Sequence, residues 1–226
     1  MPADPTASLD PAQRRSLETV LALLAEERAS VSSVTDQRAW KVHVEDSLTG
    51  LEVPELREAH RIADVGAGAG FPGLVLAVTL SEAQVDLIDS ISRKTAFITH
   101  AAEEAGIPNA TALTTRAEDL AKGEARESYD VVTARAVGRL STLAELASPL
   151  LKRNGVLVAW KGRRDAEEEA QMHRAAAELA MTPESILDVG HRAGSEHRHL
   201  HVLRKSGTTP SNLPRKPGLA KKRPKG

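Results

Sequence analysis

Apolar residues recur at helical spacing over 11–29, where Leu17, Val20, Leu21 and Leu24 fall on one face behind Asp10, a residue suited to cap the first turn. A second helical stretch, about 36–49, carries Trp40, Val44 and Leu48. The period then changes. Arg61 to Val65 is a short apolar run that ends in glycines, as a buried parallel strand does. From there the pattern alternates. Helices are predicted over 73–80, 93–105, 140–151 and 165–180, and strands over 84–89, 110–114, 130–134, 156–160, 186–189 and 200–204. Strands separated by helices imply right-handed crossovers and an α/β, doubly wound sheet of seven strands, mostly parallel. Too few residues join the last two strands for a helix to fit, so a closing hairpin with one antiparallel strand is expected. Three regions follow: N-terminal helices over 1–50, the sheet domain over 51–205, and a tail over 206–226.

Composition narrows the chemistry. The 226 residues include no cysteine, which excludes disulfides, thiolate nucleophiles and cysteine-ligated metals. Two Trp, two Phe and one Tyr cannot build an aromatic platform for single-stranded nucleic acid. The apolar runs fall short of the roughly 20 residues that span a bilayer, and no basic segment followed by an apolar one opens the chain. A cytoplasmic protein without a membrane partner is expected.

The formal net charge of −1 conceals an asymmetry. Lys205, Arg215, Lys216, Lys221, Lys222, Arg223 and Lys225 give the last 22 residues a side-chain charge of +7 with no acid, leaving −8 on residues 1–204. With Pro210, Pro214, Pro217 and Pro224 and few apolar residues, this tail is expected to be disordered when free, and to bind a polyanion, best an RNA.

The segment Asp64-Val65-Gly66-Ala67-Gly68-Ala69-Gly70-Phe71-Pro72-Gly73 lies between the first strand and its helix. Glycines there let a ligand approach the backbone at the strand ends. A dinucleotide fingerprint would need a third glycine where Phe71 stands. With the acid two residues before Gly66, the segment instead looks like the S-adenosylmethionine loop of Rossmann-like methyltransferases. Asp89, at the end of the second strand, is placed to accept both ribose hydroxyls of an adenosine, with Ser90 beside it. Asp86 lies nearer the strand start and should point away. Ala117 and Glu118 follow the third strand, where an adenine edge would lie; a helix N-terminal acid is the plainer alternative for Glu118. After the fourth strand, Arg135 stands where amine methyltransferases carry an Asn/Asp-Pro-Pro-aromatic turn, a cation suited to a phosphate, a guanine edge in the acceptor site or the methionine carboxylate, with a salt bridge at the strand end as the plainer alternative. Without that turn, and without a cysteine for pyrimidine C5, the remaining acceptors include a purine ring nitrogen whose lone pair needs no general base.

Several motifs in order resemble the RsmG (GidB) family: Ile62 to Gly73, Asp89-Ser90 with Arg93-Lys94, Arg116-Ala117-Glu118, Val132 to Ala136, Pro214-Arg215-Lys216-Pro217-Gly218, and His43-Val44-Glu45-Asp46-Ser47-Leu48. The resemblance spans about residues 30 to 220. It implies a Rossmann-like S-adenosylmethionine-dependent methyltransferase fold, and methylation of N7 of a guanosine in a decoding-region loop of 16S rRNA. By motif, Gly66, Phe71, Ala117, Glu118 and Arg135 would contact the cofactor, with Gly68 and Gly70 in the same loop. One departure is visible: Val31-Ser32-Ser33-Val34-Thr35 stands where the family has Asn-Leu-Thr.

Such a substrate calls for cations on the RNA backbone. Arg93, Lys94, Lys161, Arg163 and Arg164 near the ligand edge, and Arg215, Lys216, Lys221, Lys222 and Arg223 in the tail, are the candidates; a solvated charged face is the alternative. His43 and Asp46, at i and i+3, line the acceptor pocket or bond within their helix. His197, His199 and His201 alternate along a strand, but with no carboxylate partner evident, no metal is expected. A single chain should suffice, as a monomer acting on 16S rRNA or the small subunit. Two other classes fit less well: a non-enzymatic ribosome assembly factor and a small-molecule methyltransferase.

Overall fold

The computed structural model describes residues 5–27, 32, 34, 35, 37–190 and 197–226. Among them no helix is long and apolar enough to cross a membrane. Seven strands form one sheet in the order β3-β2-β1-β4-β5-β7-β6. They are β1 (Arg61–Val65), β2 (Gln84–Asp89), β3 (Ala110–Thr114), β4 (Tyr129–Arg135), β5 (Leu151–Lys161), β6 (Met181–Asp188) and β7 (His199–Lys205). The pairings among β1 to β5 are parallel, and β7 runs antiparallel between β5 and β6. The helices are α1 (Pro11–Glu26), α2 (Asp46–Leu48), α3 (Pro54–Arg57), α4 (Gly73–Thr79), α5 (Ser92–Glu104), α6 (Ala117–Leu120), α7 (Leu140–Ala147), α8 (Ala166–Leu179) and α9 (Leu219–Lys222).

Alternation along each strand sorts the core into two layers. Ile62, Val85, Leu87, Val131, Val156, Val158 and Trp160 pack with α1, α4 and α5 on one face. Ala63, Val65, Ile88, Val132, Leu157 and Ala159 pack with α6, α7 and α8 on the other. Asp10 caps α1 as expected: its Oδ1 accepts from the amides of Ala12 and Gln13, while the Gln13 side chain accepts from the Asp10 amide. The strand order reverses between β1 and β4, so the chain leaves the two neighbours in opposite directions and opens a crevice at their C-terminal ends.

Four expectations need correction. The stretch predicted as one helix over 36–49 is a π-helical turn (Trp40–Glu45), then α2, then a 3-10 turn (Thr49–Glu52); Asp36 lies outside the described residues. The helix predicted over 140–151 ends at Ala147: Ser148 is still in the α conformation, but Pro149 has no amide hydrogen to continue the ladder, and Leu151 already begins β5. Strand β6 starts at Met181, five residues early; Pro183 and its polar neighbours read as a loop, but an edge strand tolerates proline and a register shift.

The fourth is the tail, which is not disordered. Lys205 closes β7 with its side chain fully buried, and its Nζ donates to Glu127 Oε1, the Leu151 carbonyl and Thr209 Oγ1. Leu213 is buried, Arg215 forms an ion pair with Glu145, and α9 follows. Low apolar content is offset by acids waiting on the domain surface.

Trp160 supplies one of the contacts that join the N-terminal helices to the sheet. Trp160 is buried, and its Nε1–H donates to the Asp46 carbonyl at 2.9 Å. A Cβ at Gly50 would sit 2.5 Å from the Trp160 ring and 3.0 Å from Leu56, so only glycine fits. Gly50→Ala should therefore cost about 1–3 kcal/mol by overpacking, read as a lower urea midpoint at unchanged slope.

Candidate functional site

The glycine loop is pinned from below before any ligand arrives. The amides of Gly66 and Ala67 both donate to the Ile88 carbonyl, at 2.8 and 3.0 Å, holding the loop to the end of β2. Asp64 lies beneath it, buried. Its Oδ2 accepts from the Gly73 amide at 2.9 Å and its Oδ1 from the Thr133 hydroxyl at 3.0 Å, so one carboxylate ties β1, β4 and the start of α4 together. Burial raises its pKa to about 6 against these hydrogen bonds. Asp64 thus anchors the loop. Gly66 adopts φ +73°, and a Cβ there would meet the Val137 side chain at 2.6 Å, so the missing side chain lets the loop after β4 close over the loop after β1.

Two clefts open at these strand ends. The first, about 490 Å³, is lined by Gly66, Asp89, Ser90, Ala117, Glu118 and Val137, among others. It gathers five of the residues that the sequence nominates for the cofactor. Asp89 accepts from the Ile91 amide at 3.0 Å on Oδ1 and from the Gly68 amide at 3.1 Å on Oδ2, with Lys94 Nζ 3.7 Å away. Each carboxylate oxygen retains a further lone pair, as a ribose diol requires. Asp86 points away as expected, accepting from Tyr129 Oη at 2.7 Å. Glu118 differs from expectation in one respect: its Oε1 accepts from the Gly218 amide of the tail at 2.7 Å. Arg116, which the sequence reading passed over, also lines this cleft.

The second cleft, about 620 Å³, lies beyond the 136–138 loop and is lined by Val42, Arg135, Ala136, Gly138, Trp160, Lys161, Gly162 and Arg198. Phe71 and Arg135 belong to this side rather than to the first cleft. The Phe71 ring stacks on the His43 ring at 4.4 Å between centroids, and the Arg135 guanidinium carbon lies 5.8 Å from the Phe71 centroid. Arg135 Nη1 donates to Asp46 Oδ2 at 2.9 Å and to the Val42 carbonyl at 3.0 Å, and its Nη2 lies 3.3 Å from His43 Nδ1. His43 Nε2 lies 2.9 Å from the Val34 carbonyl. A neutral imidazole protonated on Nε2 satisfies both contacts, in keeping with a pKa lowered by burial and by Arg135. His43 and Asp46 meet through Arg135. Arg198 was missed: its Nε donates to Asp46 Oδ1 at 2.7 Å, and its alternating histidine neighbours gave no sign of it. Of Val31 to Thr35, Val31 and Ser33 lie outside the described residues.

The proposed RNA cations divide. Lys161 pairs with Glu168 at 2.7 Å, Arg164 with Glu169 at 2.6 Å, and Arg215 with Glu145, so each has a partner within the chain. Arg163 is exposed and meets only His197 among the described residues, at 2.8 Å. Arg93, Lys216, Lys221, Lys222 and Arg223 are exposed. His199 Nδ1 lies 3.1 Å from the Gly162 carbonyl, whereas His201 is buried on the α8 side. Among the described residues no group of three metal-ligating side chains gathers.

With this geometry, comparison with known proteins is informative. The family model for GidB, described as rRNA small subunit methyltransferase G, matches residues 13–200. Ribosomal RNA small subunit methyltransferase G of Staphylococcus aureus (strain Newman) is 36% identical over 217 residues, covering 94% of this chain and 90% of that protein. Its namesake from Bacillus subtilis (strain 168) is 35% identical over 226 residues, covering 98% and 95%. Among solved structures, a Bacillus cereus O-methyltransferase in complex with SAH superposes with a TM-score of 0.60 at 17% identity, covering 88% of this chain and 94% of that one. An Aquifex aeolicus SAM-dependent methyltransferase gives 0.57 at 15% identity, covering 79% and 98%. These likenesses extend to the fold, and the glycine cradle with Asp89 fits an adenosine-bearing donor.

Two outcomes are expected. Asp89→Ala should weaken S-adenosylmethionine binding roughly ten- to a hundredfold, the worth of one or two hydrogen bonds to a charged group, in a calorimetric titration. His201 is held neutral, its pKa lowered from 6.5 to about 4 by burial, with Glu169 and Glu168 opposing and Lys161 and His199 adding to the shift. The unfolded chain takes up this proton first, so stability is complete above about pH 6.5 and falls as pH drops towards 4, by about 3 kcal/mol at most. His201→Leu should flatten urea midpoints compared between pH 7 and pH 4.5.

Proposed function

Because this chain belongs to the GidB family of rRNA small subunit methyltransferases, we propose that it transfers a methyl group from S-adenosylmethionine to N7 of a guanosine in a loop of 16S rRNA. The observation that carries the reading is the pair of adjoining clefts: an adenosine-suited one at the ends of β1 to β3, and a cationic one around Arg135, sharing the 136–138 loop as a wall.

S-adenosylmethionine, when bound, supplies an electrophilic methyl on a sulfonium. Gly66, Asp89, Ser90, Ala117 and Glu118 would hold its adenosine part, and Phe71 and Arg135 stand on the side from which the acceptor arrives. Guanine N7 presents a lone pair, so no residue has to remove a proton before attack, and the residues of the site act by alignment and exclusion of water. The positive charge is passed from donor to purine rather than created, so no oxyanion-type cradle is called for. Buried Asp46 answers one of the two positive charges of Arg135 and Arg198, so the second cleft keeps a net positive charge suited to the phosphates of an RNA backbone.

An A-form helix hides N7 in a deep, narrow groove, so the acceptor is a loop nucleotide or one turned out of its stack. Exposed Arg93, Lys216, Lys221, Lys222 and Arg223 are the cations for its backbone. In domain terms, residues 51–205 form the methyltransferase domain, 1–50 complete its acceptor side, and 206–226 dock beside the donor. That one chain builds both clefts supports a monomer, and an rRNA substrate supports a cytoplasmic location.

Incubated with purified small-subunit RNA or subunits from cells lacking it, the protein should transfer labelled methyl to one guanosine, recovered as 7-methylguanosine after digestion. The transfer rate should be flat from about pH 7 to 8.5, since no base must be deprotonated. Label on an amino group or on a small metabolite, or RNA binding without transfer, would refute the assignment.

A further inference from the structure

Three of the tail's seven cations are held by acids of the domain itself: Lys205 by Glu127, Arg215 by Glu145 and Lys225 by Glu178. The middle pair is the most enclosed. The Glu145 side chain is 3% exposed and receives both Nε and Nη2 of Arg215, whose Nη2 also donates to the Arg223 carbonyl at 2.8 Å and folds the tail back on itself. From this anchor the chain turns through Gly218 at φ +78°, and the Gly218 amide reaches Glu118 Oε1 at 2.7 Å. Ala220, buried, accepts from Thr142 Oγ1 at 3.2 Å. Glu118 is a wall of the donor cleft, and so is Leu146, the residue next to Glu145 on α7. The tail is therefore fastened to the two elements, α6 and α7, that shape the far end of that cleft.

We propose that the C-terminal segment 213–222 is a positioning element of the donor site, fixing the Glu118 carboxylate through Gly218, so that donor affinity depends on a docked tail. With Oε1 occupied by a backbone amide, Glu118 is held in one rotamer and keeps Oε2 as an acceptor suited to the amino-bearing edge of an adenine. The inference rests on reading the first cleft as the donor site, and it goes beyond assigning the tail to RNA alone.

The test uses full-length wild type, Arg215→Ala and Gly218→Ala. S-adenosylhomocysteine binding is measured by calorimetry, RNA binding by its salt dependence, and stability by urea midpoint. Arg215→Ala should weaken S-adenosylhomocysteine binding roughly 5- to 20-fold, the worth of releasing one charge-assisted contact. KM for the donor should rise in step while kcat stays within about twofold. Gly218→Ala keeps the Arg215 anchor but disfavours the turn, and should cost a smaller factor, about threefold. If Arg215→Ala fails to fold, Gly218→Ala decides alone. Unchanged donor affinity would overturn the proposal, whether a lower urea midpoint marks the tail as a mere strap or weaker RNA binding marks it as an RNA contact only. Wild type without affinity for S-adenosylhomocysteine would instead overturn the donor-site reading itself, so the two failures are told apart.

Discussion

A carboxylate that is 2% exposed is costly unless its charge is answered, and Asp46 is answered twice, by Arg135 on Oδ2 and by Arg198 on Oδ1. Those guanidiniums come from the end of β4 and from the residue just before β7, while the Asp46 carbonyl takes the Trp160 N–H from β5. One residue of a short helical turn thus ties the N-terminal region to three strands. It also fixes what the second cleft looks like, because a guanidinium held by a buried acid cannot swing away. The stacking of His43 on Phe71, and of Phe71 under Arg135, follows from the same arrangement.

On the donor side a second buried acid plays the matching part. Asp64 does not touch the cleft; it holds the backbone that shapes it, through Gly73 and Thr133. The chain therefore separates two tasks. Acids away from the clefts set the geometry, and Asp89, itself buried but lining the first cleft, is left with lone pairs to spare. The 136–138 loop lies between the two clefts and rests on Gly66 through Val137, so the clefts share a physical boundary.

Much of this was legible in the sequence, and the reasons it stopped being legible are specific. Alternation and glycine placement report local backbone chemistry, so the seven strands, the loop and Asp89 could be read directly. Arg198 could not, because nothing local to it marks a partner 152 residues away. Lys161 and Arg164 differ: their partners Glu168 and Glu169 are only seven and five residues on, but the turn into α8 that brings them together is not marked by charge spacing alone. The tail misled for a related reason. Its composition argues for disorder only if nothing complementary awaits it, and Glu118, Glu127, Glu145 and Glu178 do await it. The domain charge of −8 opposite a tail of +7 was in part an internal match.

The scarcity of aromatic rings has an experimental benefit. Of the two indoles, Trp40 lies under Arg14 at 4.9 Å on the N-terminal side, while Trp160 lines the second cleft with its N–H tied to Asp46. Replacing Trp40 would leave a single indole, beside the second cleft, with no dye attached to either partner. Emission from that one ring would then follow occupancy of the cleft in real time, separately from any chemistry at the methyl group.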